Sequence, residues 1–98
     1  MSYKLEFSNE ALSKLEDLSR ADAKLLKQVL VKILSLRRNP TPHDFKKLKA
    51  FRYGELNGYR VDQGEYRLIY AVDEKSKPIK IGYILNRNED YNELRSIK

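Results

Sequence analysis

The spacing of apolar residues along this chain changes once, near its middle. Tyr3-Lys4-Leu5-Glu6-Phe7 alternates with period two and predicts a short strand. Ser8 follows as an N-cap, with Glu10 in the first turn to favour the helix dipole. Ala11, Leu12, Leu15 and Leu18 then recur at helical spacing. Ser19-Arg20-Ala21-Asp22 has the form of a second cap, an acid standing three residues after the serine. Beyond it Leu25, Leu26, Val29, Leu30, Ile33, Leu34 and Leu36 make a wide apolar stripe, so this helix is expected to be the main cover of the core. Asn39-Pro40-Thr41-Pro42 ends it.

From there the period shortens. His43 to Tyr53 reads as a basic connector with room for a short strand at Lys47-Leu48-Lys49. Leu56 to Asp62, Glu65 to Asp73 and Ile79 to Leu85 are three strands rich in Tyr, Ile, Leu and Val. Turns fall at Gln63-Gly64 and at Lys75-Ser76-Lys77-Pro78. A final short helix can start at Asn88, with Glu89 and Asp90 in its first turn and Arg95 and Lys98 near its end. The expected fold is a single α/β (α+β) domain over residues 1–98. It has a small twisted, mainly antiparallel sheet of about four strands, with the N-terminal helical hairpin packed on one face. The other face is left for function.

At 98 residues the chain is near the lower end of the size that buries a full core without staples. With no cysteine, neither a disulfide framework nor a thiolate metal site is possible, and the single His43 rules out a multi-histidine cluster. Met1-Ser2-Tyr3-Lys4 carries no apolar leader and no segment reaches the length of a membrane span, so a soluble cytoplasmic protein is expected. The formal charge is +6, and its placement is uneven. From Arg37 to Arg60 seven basic residues (Arg37, Arg38, Lys46, Lys47, Lys49, Arg52 and Arg60) face two acids, Asp44 and Glu55. Such a zone suits a nucleic acid, or is simply a solvated surface.

The chemistry gathers around Tyr59-Arg60-Val61 and Glu65-Tyr66-Arg67-Leu68-Ile69-Tyr70-Ala71. If Gln63-Gly64 closes a two-residue hairpin, Arg60 and Arg67 stand opposite each other on one face. Like charges directly across a strand pair are destabilising, so a surface that keeps them suggests a polyanion. Pairing of the last two strands would bring Arg87 beside Arg67, with Tyr91 one helical turn further on. Guanidinium forks match phosphate, and aromatic rings beside them grip single-stranded RNA. Each residue also has a structural use. Arg67 can pair with Glu65, Asp73 or a C-terminal acid. Tyr91, Leu94 and Ile97 can dock the last helix, and Tyr59, Tyr66, Leu68, Tyr70 and Val72 form a buried face. His43 suits an ordinary loop, and Lys46-Lys47-Leu48-Lys49 can be merely solubilising.

Over its whole length the chain resembles the RelE/ParE superfamily of toxins from type II toxin–antitoxin systems. The resemblance rests on the strand and helical hairpin, on Lys47-Leu48-Lys49, on Tyr59-Arg60-Val61-Asp62-Gln63-Gly64-Glu65-Tyr66-Arg67-Leu68-Ile69-Tyr70 and on Asn86-Arg87-Asn88-Glu89-Asp90-Tyr91. The RelE branch implies a ribosome-dependent mRNA endonuclease that enters the A site and needs no metal or cofactor. It also implies a cognate antitoxin that folds on binding. By the same resemblance Arg67 stabilises the scissile phosphate, Arg87 serves the leaving oxygen and Tyr91 orients the base. Arg60 supplies the basic residue of the preceding strand, and Lys46, Lys47, Lys49 and Arg52 hold ribosomal RNA. The chain departs from RelE enzymes where they carry two lysines, one a candidate general base: those positions are Gly58 and Arg60 here. Asn86 stands where many relatives have histidine, and the step from Arg87 to Tyr91 is shorter than in some. The ParE branch, which poisons DNA gyrase, and a non-catalytic RNA-binding module are the alternatives.

Overall fold

The computed structural model describes residues 3–42, 45–73, 75, 78–86 and 88; of Lys49 and Ala50 it describes the backbone alone. The chain runs β1 (Lys4–Phe7), α1 (Asn9–Ala21), α2 (Ala23–Leu36), β2 (Lys46–Tyr53), β3 (Leu56–Gln63), β4 (Tyr66–Val72) and β5 (Pro78–Asn86). The sheet has five strands in the order β1-β5-β4-β3-β2, one more than the alternating segments alone suggest. β2 to β5 form an antiparallel meander, and β1 returns to pair in parallel with β5, Leu5 opposite Ile79 and Phe7 opposite Ile81. The expected C-terminal helix lies outside the described residues.

Ser8 performs the capping role its position suggests, since its Oγ accepts from the Ala11 amide at 3.0 Å. The same hydroxyl donates to the Gly82 carbonyl, which ties the start of α1 to β5. The second cap differs from the expected one. Ser19 Oγ donates to the Glu16 carbonyl at 2.6 Å and stays within α1. Asp22 is the N-cap of α2, its Oδ1 accepting from the Leu25 amide at 3.1 Å. A carboxylate there also complements the positive end of the helix, which a hydroxyl cannot do.

The helices cover one face of the sheet. Ala11, Leu18, Val29, Ile33 and Leu36 pack with Val61, Leu68, Tyr70, Ile79, Ile81 and Ile84. Each of the larger side chains removed from water there is worth about 1.5–3 kcal/mol. The apolar stripe of α2 is narrower than its sequence implies, because Leu34 is exposed. The Tyr70 hydroxyl donates to the Pro40 carbonyl at 2.5 Å, fastening the turn after α2 to the middle of the sheet.

The opposite face is not wholly open. Phe51, Ile69 and Leu85 form a second buried cluster there, flanked by Leu48, Tyr53 and Tyr83. Its origin is an irregularity in β2. The register slips between Leu48, opposite Gly58, and Arg52, opposite Asn57. The extra residues carry Phe51 across the sheet, where it is 2% exposed and sits on Gly58. A Cβ at Gly58 would overlap the Phe51 ring and lie 2.9 Å from its carbonyl oxygen, so glycine is needed for this approach. The face left for function is therefore the part beyond this cluster, where β3 and β4 meet at their turn.

Candidate functional site

The loop joining β3 to β4 is Gly64-Glu65, not Gln63-Gly64. Gln63 pairs with Tyr66, and Gly64 has φ 58°, as the first position of a two-residue hairpin loop requires. Arg67 consequently stands opposite Asp62, and Arg60 opposite Ile69. The expected face-to-face arginine pair is thus corrected to a diagonal one. The displacement is even, so both arginines keep the face expected of them.

Asp62 lies between them. Arg60 Nη1 is 3.3 Å from Asp62 Oδ1, and Arg67 Nε is 3.6 Å from the same oxygen. Two guanidiniums share one carboxylate, and this relieves the repulsion that makes such pairs rare inside sheets. The arginine side chains are only 13% and 21% exposed, against 52% for Asp62. Their stems rest beside the apolar cluster, since Ile69 faces Arg60 and Leu85 faces Arg67 across the strand pairs. Arg67 also lines a cavity of about 370 Å³ with Glu65, Asn86 and Asn88. Asn86 Oδ1 accepts from the Asn88 amide at 3.1 Å, turning the backbone at the cavity's edge. Such a concavity, with a guanidinium, a carboxylate and two amide side chains, offers donors to a phosphate and acceptors to hydroxyl groups.

The basic residues of β2 divide. Lys46 pairs with Arg60 and so shares its face, whereas Lys47 pairs with Tyr59 on the helix side. The Lys49 side chain lies outside the described residues. Arg52 sits at the far end of the β2–β3 hairpin, where its Nη2 donates to the Glu55 carbonyl at 2.5 Å. It is separated from Arg60 by three residues of strand, about 10 Å. Arg87 and Tyr91 also lie outside the described residues; Asn86, the last residue of β5, pairs with Tyr66 next to Arg67. Asp62 is the site residue that the sequence did not reveal. Reading Gly64 as the first loop residue, the position glycine takes in a type II′ turn, would have found it.

Away from this end, Lys80 Nζ lies 5.5 Å from the centre of the Tyr53 ring. Burial, and then the charges of Glu6 and Glu10, push the Tyr53 phenol above its ordinary value. Among the described residues no group of three or more His, Cys, Asp or Glu is arranged to hold a metal ion. No helix among them is long and apolar enough to cross a membrane.

Residues 5–91 match the family model described as the ParE toxin of type II toxin–antitoxin systems, parDE. The chain belongs to this toxin family. Within the RelE/ParE superfamily the toxin falls on the RelE-like side. It is similar to the chain in the archaeal RelE–RelB complex from Pyrococcus horikoshii OT3, with TM-score 0.71 and 30% identity over 92% of this chain and 100% of that one. The YoeB dimer from Staphylococcus aureus gives TM-score 0.66 and 27% identity over 85% of this chain and 94% of that one. Isolated RelE from E. coli shares the fold, with TM-score 0.66 and 17% identity over 93% and 90% of the two chains. No curated protein matches by sequence.

Proposed function

We propose that this toxin inhibits translation as a ribosome-dependent mRNA endonuclease, acting in the cytoplasm and restrained by a cognate antitoxin. The observation that carries the reading is the convergence of Arg60 and Arg67 on one sheet face, with Arg67 at the rim of a polar cavity. RNA brings its own nucleophile. The 2′-hydroxyl gives up its proton and its oxygen forms a bond to the adjacent phosphorus. The bond to the 5′-oxygen breaks, and that oxygen departs with the electron pair and takes up a proton. The products are a 2′,3′-cyclic phosphate and a 5′-hydroxyl. Arg67 carries the charge that accumulates on the phosphate, with Arg60 beside it. By the family resemblance Arg87 serves the leaving oxygen and Tyr91 stacks on the base. Lys46, Lys47, Lys49 and Arg52 meet ribosomal RNA, the first from the arginine face and the last from the opposite end of the hairpin.

In such a site preorganised cations do most of the work, and removal of one donor typically costs about 10²–10³ in rate. Arg60 cannot act as a base, because a guanidinium stays protonated. With water as proton carrier, free RNA is cut slowly and the ribosome supplies the alignment. Arg67→Ala is expected to lower single-turnover cleavage on programmed ribosomes by at least about 10² while the fold is kept. A near-wild-type rate in that variant overturns the assignment.

Action on DNA gyrase is the second reading. It is favoured by the ParE description of the matched family and by the carboxylate that Asp62 places between the arginines. Supercoiling by gyrase, assayed beside programmed ribosomes, separates the two. Inhibited gyrase with intact mRNA selects the ParE-like activity.

A further inference from the structure

We infer that Asp62 is a positioning residue of the nuclease site: it aims Arg60 and Arg67 at the RNA phosphate while weakening the binding of RNA. The inference rests on the nuclease reading for its effect on rate; its effect on binding stands separately. Asp62 reaches Arg60 through Nη1 at 3.3 Å and Arg67 through Nε at 3.6 Å, using the same oxygen for both. The contact to Arg60 is a hydrogen bond and directs that fork, whereas the contact to Arg67 is a charge attraction that draws its guanidinium toward the same oxygen. The two arginines come from different strands whose register sets their spacing, and the carboxylate is a contact that both guanidiniums share. Asp62 is opposite Arg67 in the ladder and two residues from Arg60 on the same strand, and the sheet itself holds it in place.

Charge and geometry then pull in opposite directions. A carboxylate beside the phosphate site repels an incoming polyanion, so its removal strengthens association. The same removal leaves two long side chains less well directed, and misplacement by about 1 Å can cost about 10²-fold in rate. A purely structural residue would not produce opposite effects on binding and turnover.

Asp62→Ala and Asp62→Asn test this, with folding checked by far-UV circular dichroism. Asparagine keeps an oxygen at the contact point but removes the charge. Binding is measured with a short fluorescent single-stranded RNA across a salt series, and cleavage by single turnover on programmed ribosomes. In Asp62→Ala the RNA is expected to bind about two- to fivefold more tightly, the range of an exposed ion pair, with a steeper salt dependence. Its cleavage rate is expected to fall at least about tenfold. Asp62→Asn should show the same gain in binding and a smaller loss of rate. Should Asp62→Ala not fold, the asparagine variant alone decides between gain and loss of binding. The inference is overturned if rate stays within about twofold of wild type, or if binding and rate decline together. Absence of cleavage by the wild-type toxin removes the nuclease reading and this role with it. Wild-type cleavage with unchanged Asp62 variants removes only the role.

Discussion

Replacing Gly58 by alanine places one methyl group where Phe51 already sits. The added carbon would overlap the ring and lie 2.9 Å from the Phe51 carbonyl oxygen. Rotating the ring relieves only the first of these, because the second neighbour is backbone. Overpacking of this kind typically costs about 1–3 kcal/mol. For a domain of this size each kcal/mol lowers the melting temperature by about 4–8 °C. Phe51→Ala, which empties a site only 2% exposed, should lose about 3–5 kcal/mol. The double variant should be less damaged than the sum of the two, with a coupling of about 0.5–3 kcal/mol, since the ring that clashes is gone. Urea unfolding followed by far-UV circular dichroism supplies all three values. A Gly58→Ala protein within about 0.5 kcal/mol of wild type would refute the account of the β2 irregularity. RelE relatives have a lysine at this position. Gly58→Lys here should destabilise the fold by more than alanine does, without creating a catalytic base, because Phe51 occupies the space above the strand.

Two further outcomes follow from the same face. Gly64→Ala forces a side chain onto φ 58° and should cost about 1 kcal/mol, measured by the same unfolding curves; no loss would argue against the Gly64-Glu65 loop and the register it sets. Burial and two nearby carboxylates raise the Tyr53 phenol above its ordinary 10.0, so the folded chain holds that proton more tightly than the unfolded one. The stability this contributes is fully present below pH 10 and is lost as pH rises through the folded value. Tyr53→Phe should therefore flatten the alkaline decline of stability, and an unchanged decline above pH 10 would show that Tyr53 does not contribute.

Much of this architecture could be read from local chemistry. Ser8 followed by an apolar residue every third or fourth position identifies α1, and the density of leucines in α2 marks the cover of the core. Tyr66, Leu68 and Tyr70 alternate toward the helices as their spacing implies. What escaped depends on partners distant in sequence. β2 extends over Lys46–Tyr53. Its lysines and its register slip disguise the alternation on which strand recognition depends. Ile69 and Leu85 belong to continuous apolar runs, so nothing local says that Phe51 would cover them from the other side. The placement of the candidate arginines was legible as to face but not as to register. Shifting the loop by one residue is enough to put Asp62, rather than Arg60, across from Arg67. The cap of α2 went to Asp22 over Ser19 because a carboxylate meets both the hydrogen-bonding and the dipole requirement.

β5 lies between the first strand of the chain and β4. A nascent polypeptide that has not yet extended past residue 78 has its opening strand and helices but lacks the ribbon that joins them to the hairpins. The strands β2 to β4 can pair with one another first, but β1 can join their sheet only after β5 has been made and laid between them.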